Sequence, residues 1–370
     1  MGILKSMFGI DPKAARAAWT VFLLALLIAI AYTVRLTLVV FMAAIFVAYI
    51  LTPLVDVVQR FTPRVVSRTA ALAIVYVALL GALVVLVVTL GGQIGDQANS
   101  LAGRLPALLK NQQWVEQIPL PAWMEPMRIR LVEWLHYQIQ TGGSSFLPYL
   151  RGFGSELLSG AKYLIYVVLV PILAFLFLKD GRAMRDSILD TMVDGRQREL
   201  TQEILSDINL LLIQYIRAIV LMVLSSFLWY ALFLSVTGAQ YSILLALLAG
   251  LFDFIPVIGP LAAGVLIFTI TGLTGYSHLI AFVIFWAVLR LFQDYVLSPY
   301  LMGAGVELDP LVVLFGVLAG EQIAGIPGMF FSVPILATLR VIFVRMQRAR
   351  ARRTLRPSVI EPPRVENIET

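Results

Sequence analysis

The sequence contains no cysteine and only two histidines among its 370 residues. Without thiols there is no disulfide, no thiolate metal site and no cysteine nucleophile. His136 and His278 lie far apart and outside any H-x-x-H or H-E-x-x-H spacing, so no metal centre is expected. Charge is scarce too: Asp, Glu, Lys and Arg make up 14% of the chain, against roughly 25% in a soluble domain. The G-x-x-x-x-G-K-[ST] phosphate loop and the G-x-S-x-G nucleophile elbow are both missing. Gly142-Gly143-Ser144-Ser145 is a flexible turn and not a phosphate cradle. These absences argue against nucleotide hydrolysis and against an enzyme, and no cofactor is expected.

What the chain has in abundance is apolar surface, with 60% hydrophobic residues and a mean hydropathy of +0.89. About eight apolar runs approach or exceed the roughly 20 residues that a helix needs to cross a bilayer. They are continuously apolar and do not alternate, which excludes a transmembrane barrel. The expected fold class is therefore all-α: a polytopic membrane protein of about eight transmembrane helices. The spans fall near residues 19–34, 36–55, 69–90, 157–178, 208–236, 242–270, 278–297 and 310–344. Ala29-Ile30-Ala31 looks like a signal-cleavage triplet, but the apolar stretch resumes after Arg35, so the segment is read as retained.

This divides the chain into N-terminal helices one to three (1–90), an external segment (91–155), C-terminal helices four to eight with the expected transport site (156–345) and a basic cytoplasmic tail (346–370). Trp114, Trp123 and Trp134 fit a membrane-interface belt, and 91–155 is read as short amphipathic helices on the outer surface. A net charge of +6 is read as cytoplasmic arginine touching anionic lipid, with no nucleic-acid partner. Basic residues concentrate at Lys5, Lys13 and Arg16, at Arg60, Arg64 and Arg68, at Lys179–Arg198, and in the tail from Arg345 to Arg356. Eight crossings place these four segments on one side, with both termini cytoplasmic. The connectors 235–241 and 302–309 then fall on the opposite side.

Three features cost free energy in a bilayer and so need a reason. In span six, Asp253 is followed by Pro256, Gly259 and Pro260. A proline inside a helix costs about 3 kcal/mol, and a mid-helix acid about 2.5–3.5 kcal/mol. Span seven carries Arg290, Gln293 and Asp294 on one helix face. Span eight holds Gly316, Gly320, Glu321, Gly325, Pro327, Gly328 and Pro334, a pattern expected of two half-helices with a turn near 324–328. Two broken or re-entrant segments in the C-terminal half point to a site at mid-membrane. Its expected residues are Asp253, Pro256, Gly259, Pro260, Arg290, Gln293, Asp294 and Glu321. Pro171, Gly325, Gly328 and Pro334 are the expected hinges or helix breaks. Gln214 and Arg217 on span five either face the same cavity or lie near the interface.

The run Pro171-Ile172-Leu173-Ala174-Phe175-Leu176-Phe177-Leu178-Lys179-Asp180, the D-F-I-P-V-I-G-P element from Asp253 to Pro260, the Ser298-Pro299 exit and Asp309-Pro310 through Pro334 resemble the autoinducer-2 exporter family of bacterial permeases. The resemblance implies a plasma-membrane exporter of small polar molecules such as the quorum signal autoinducer-2. It also implies homo-oligomers, and for some members monovalent cation (sodium or lithium)/proton antiport. The expected function is a secondary transporter or facilitator for a small polar solute. A cation/proton antiporter and a non-transporting membrane scaffold are the alternatives.

Overall fold

The computed structural model describes residues 12–61, 68–110, 164–302 and 308–354, and the regular structure among them is helical. In chain order the helices are α1 (Pro12–Thr33), α2 (Arg35–Phe61), α3 (Arg68–Lys110), α4 (Leu164–Asp190), α5 (Gly195–Val236), α6 (Ser242–Phe252), α7 (Ile258–Leu273) and α8 (Leu279–Phe292). They continue through a π-helical turn (Gln293–Leu297) to α9 (Ser298–Met302) and α10 (Pro310–Thr354). Five stretches among the described residues are long and apolar enough to cross a membrane: 14–33, 35–60, 195–236, 279–301 and 310–351. This is a multi-pass membrane protein.

Two expected boundaries move. The junction of α1 and α2 falls at Val34, as expected, and Val34 N donates to Ile30 O and Leu38 N to Val34 O, so the helical ladder carries across it; none of the apolar window of α1 is buried. α1 therefore does not pack back along α2. α3 does not stop at Leu90 but runs on to Lys110, so residues 91–110 are one rod with the third span and not separate surface helices. Residues 111–155, with Trp114, Trp123 and Trp134, lie outside the described residues, as do tail residues 355–370. α4 likewise continues past Lys179-Asp180 to Asp190, with Pro171 inside an uninterrupted helix.

The segment expected as span six is a hairpin. α6 has 11 residues and α7 has 16, about 16 and 24 Å at 1.5 Å per residue, too short for a core of about 30 Å. Between them Pro256 has no N–H to give the ladder, and Val257 takes a positive φ of 66°, which is strained for a β-branched residue. Gly259 starts the return arm against the Phe252 carbonyl, where a Cβ would collide. The two arms then pack together, with Leu245 and Ile267 fully buried. At the open end the Tyr276 hydroxyl donates to Thr237 Oγ1, so the hairpin leaves the bundle at the end where it entered. There the extension of α3 caps it: Leu244 N donates to Gln97 Oε1 at 3.0 Å.

α10 is a second hairpin, although its helical turns run almost without pause. Ala324 (φ −141°, ψ 17°) and Gly325 (φ 65°, ψ −144°) break the path where a turn is expected. Gly320 and Gly328 then meet backbone to backbone, and Gly316 accommodates Leu336. Pro334 lies inside the continuous second arm. Leu308, Asp309 and Val312 lie beside Leu336, Leu339 and Arg340 at the open end.

The hairpins approach α5 from opposite ends. The first opens beside Thr237, just past the C-terminus of α5. The second opens near its N-terminal part, where Arg345 donates to both Glu203 and Asp207 at 2.6 Å. This corrects the expected sidedness of the 302–309 connector. Leu308 lies with Asp207, Arg340 and Arg345, at the same end as the tail and not opposite it. The inner parts of the two hairpins meet through Phe254 and Phe330, whose ring centroids are 4.9 Å apart. Phe46 of α2 packs edge-on against Phe330 at the same distance.

Candidate functional site

α5 is the common wall of both hairpins, and a small residue on α6 allows the first hairpin close. Gly250 of α6 lies against the Val223 carbonyl and Phe227. That approach brings Asp253, the first residue of the break, onto Ser226. Ser226 is fully buried and Asp253 is 8% exposed. The Ser226 hydroxyl donates to Asp253 Oδ2.

From there a hydrogen-bond chain runs outward through span seven. Gln293 Nε2 donates to Ser226 Oγ at 2.6 Å, and Arg290 donates to Gln293 Oε1 at 3.3 Å. Arg290 also donates to Asp294 Oδ1 at 2.7 Å. The π-helical turn begins at Gln293, which is 2% exposed. Turns of this kind insert an extra residue into a helix and cluster at functional sites. Here the turn accompanies a buried Gln293 facing α5 while Arg290 and Asp294 reach a cavity. In the branch toward the buried acid every donor points the same way, Arg290 to Gln293 to Ser226 to Asp253. Bonds aligned in this sense polarise one another, so the guanidinium charge is felt at Asp253 without direct contact.

The cavity has a volume of about 240 Å³ and is lined in part by Tyr215, Asp253, Pro256, Pro260, Arg290 and Asp294. Ser298 and, from the second hairpin, Val313 and Val333 also border it. Six of the eight expected site residues thus converge: five line the cavity and Gln293 ties them to α5. Gly259 serves the turn itself. Glu321 does not join them; it is exposed on the first arm of the second hairpin. Arg217 is exposed on α5 and is not among the lining residues.

Two participants were not expected from sequence. Ser226 sits in a Ser225-Ser226 pair within an apolar span, a weak signal because serine is common at helix contacts in membranes. Tyr215 lines the cavity with a hydroxyl that has no hydrogen-bond partner among the described residues. Nothing in its sequence position distinguished it from the other apolar residues of α5. Among the described residues no group of three or more His, Asp or Glu side chains is placed to hold a metal ion.

Several known proteins are similar to this chain in sequence. It is similar to "Putative transport protein YrrI" of Bacillus subtilis, at 27% identity over 55% of this chain and 58% of that protein. "Putative transport protein YueF" of the same organism is 22% identical over 82% of this chain and 83% of its own length. "Putative permease PerM" of Escherichia coli K12 is 27% identical over 68% and 66%. The family model described as AI-2E family transporter matches residues 21–348, nearly the whole chain, and the chain therefore belongs to the AI-2E family of transporters.

Proposed function

We propose that this protein is a secondary transporter or facilitator that moves a small polar solute through the cavity between the two hairpins. The observation that carries the reading is the convergence of Asp253, Arg290 and Asp294 on one cavity beside a broken helix. Unpaired backbone and ionisable groups persist at membrane depth only where protein or water meets them. Broken helices of this kind build the midplane sites of secondary transporters.

In this reading both hairpins are re-entrant. The first enters from the outer face and returns to it, and the second does the same from the cytoplasmic face. α5 and the α8–π–α9 segment are the full crossings between them. The arginines of the α4–α5 connection and of the tail set that orientation in a bacterial plasma membrane, and the tail meets anionic headgroups. Arg290 grips an oxygen of the solute, and Asp253 accepts from its hydroxyl or amine groups.

The antiporter alternative draws on the same two acids. Asp253 and Asp294 both border the cavity, but Arg290 stands between them and Glu321 is elsewhere. Flux in proteoliposomes separates the readings. A panel of small polar solutes that includes autoinducer-2, run with and without sodium and proton gradients, is expected to show solute movement. Asp253→Asn is expected to abolish that movement while the protein still inserts. Wild-type flux in the variant would reduce Asp253 to architecture, and a sodium-driven pH change without added solute would favour the antiporter.

A further inference from the structure

One face of α5 lines two separate cavities. Tyr215, Ile219 and Met222 border the central one, and Ser226 continues the same face to Asp253. Asp207 and Leu211 border a second cavity of about 180 Å³, a vestibule whose other wall includes Arg340, Arg345 and Arg348 of the second arm. Positions 207, 211, 215, 219, 222 and 226 follow one another at spacings of four and three, the repeat of a single helical face. Leu308 belongs to the walls of both cavities.

What separates the two is a dry seam between α5 and the second arm. Tyr215, Ile216, Ile219, Phe331 and Val333 are buried there in one cluster. Apolar contact of this kind has no preferred direction, and the seam holds one polar atom that it does not serve. The Tyr215 hydroxyl is buried without a hydrogen-bond partner among the described residues. A stranded hydroxyl raises the free energy of the arrangement that buries it, and the cost ends when water or a polar solute reaches it. The closed seam thus carries a penalty that an open one does not, which shifts the equilibrium between them toward opening.

We propose that this seam is the door of the central cavity on the side of the α10 C-terminus. The second arm parts from α5 at Tyr215, the hydroxyl gains a partner, and cavity and vestibule join into one passage to Asp253. The purpose of the door rests on the transport reading above, whereas its opening is measured without flux.

The chain has no cysteine, so Met222→Cys places the sole thiol of the full-length protein on the wall of the central cavity. Membrane vesicles are sorted by whether a C-terminal tag faces out or in, and a membrane-impermeant methanethiosulfonate is added outside. Modification from the tag side is expected at least ~10-fold faster than from the opposite side, because an opening on that side alone exposes the thiol. It should likewise outpace modification of Leu234→Cys, fully buried further along α5. Ile219→Cys, on the same wall, is the second reporter if Met222→Cys does not reach the membrane as a single species. Tyr215→Phe keeps the ring and removes the stranded hydroxyl, so it deepens the closed form. Added to either reporter, it is expected to slow tag-side modification at least ~5-fold.

Equal rates from both sides, or a faster rate from the side without the tag, overturn the proposal. So does a Tyr215→Phe background that leaves the rate unchanged or raises it. Tag-side modification in a protein that moves no solute keeps the door and removes the transport reading. Flux through a protein whose reporters stay sealed on the tag side does the reverse.

Discussion

The hydroxyl of Ser226 ends on the carboxylate of Asp253, joining the middle of α5 to the broken tip of the first hairpin. The same oxygen accepts from Gln293, so one buried atom fixes three elements. Ser226→Ala leaves the Gln293 amide and the Asp253 oxygen without their partner. A stranded buried polar group costs about 1–3 kcal/mol, and thermal unfolding in detergent is expected to fall accordingly. Solute flux should drop with it, because the acid loses its fixed position.

The contact between Gly320 and Gly328 offers a test of the second hairpin. A methyl at either position meets the opposite backbone, which has no flexible end to yield. Gly328→Ala is expected to destabilise by about 1–3 kcal/mol. Gly181→Ala, in open space within α4, is the control and is expected to be neutral or to gain about 0.4–1 kcal/mol. Equal melting temperatures for the two variants would remove the close crossing.

Arg345 holds the open end of that hairpin to α5 through two carboxylates. Its side chain is 25% exposed and its partners 35% and 36%, so screening limits the gain. Arg345→Ala is expected to cost about 1 kcal/mol, with the difference from wild type shrinking as salt is raised. Arg345→Lys should recover only part of it, since an ammonium does not reproduce the two-pronged geometry of the guanidinium. A loss independent of salt would assign the role to packing.

Tyr215 makes the opposite kind of prediction. Its hydroxyl is buried without a partner among the described residues, so Tyr215→Phe removes a desolvated group and keeps the ring. Stability is expected to hold or rise by up to about 1 kcal/mol. A clear fall in melting temperature would reveal a hydrogen bond made by that hydroxyl.

The all-helical membrane architecture was legible in hydropathy alone, and the cost of Asp253, Pro256 and Pro260 in a bilayer located the break. The charged face of span seven was legible as well, since Arg290, Gln293 and Asp294 fall three and four residues apart. Hydropathy does not say whether an apolar stretch crosses or returns, because both bury the same side chains. That is why 242–270 and 310–344 were counted among the eight spans, although both were expected to be broken or re-entrant. Here the deciding information is pairwise: Thr237 with Tyr276, Gly320 with Gly328, Leu308 with Arg340. Counting arginines placed Leu308 and Asp309 opposite the tail for the same reason, since the count took α10 for a single passage. Glu321 was grouped with Asp253 because both are acids in broken segments, but the hairpins turn them to different surfaces.

Val257 holds a backbone angle that few valines tolerate, one residue after Pro256 at the rim of the cavity. Such a conformer sits about 1–3 kcal/mol uphill, and the neighbouring chain must keep it wound. Rotation of this single residue back into an ordinary basin would release that tension and swing Pro256 with the rim.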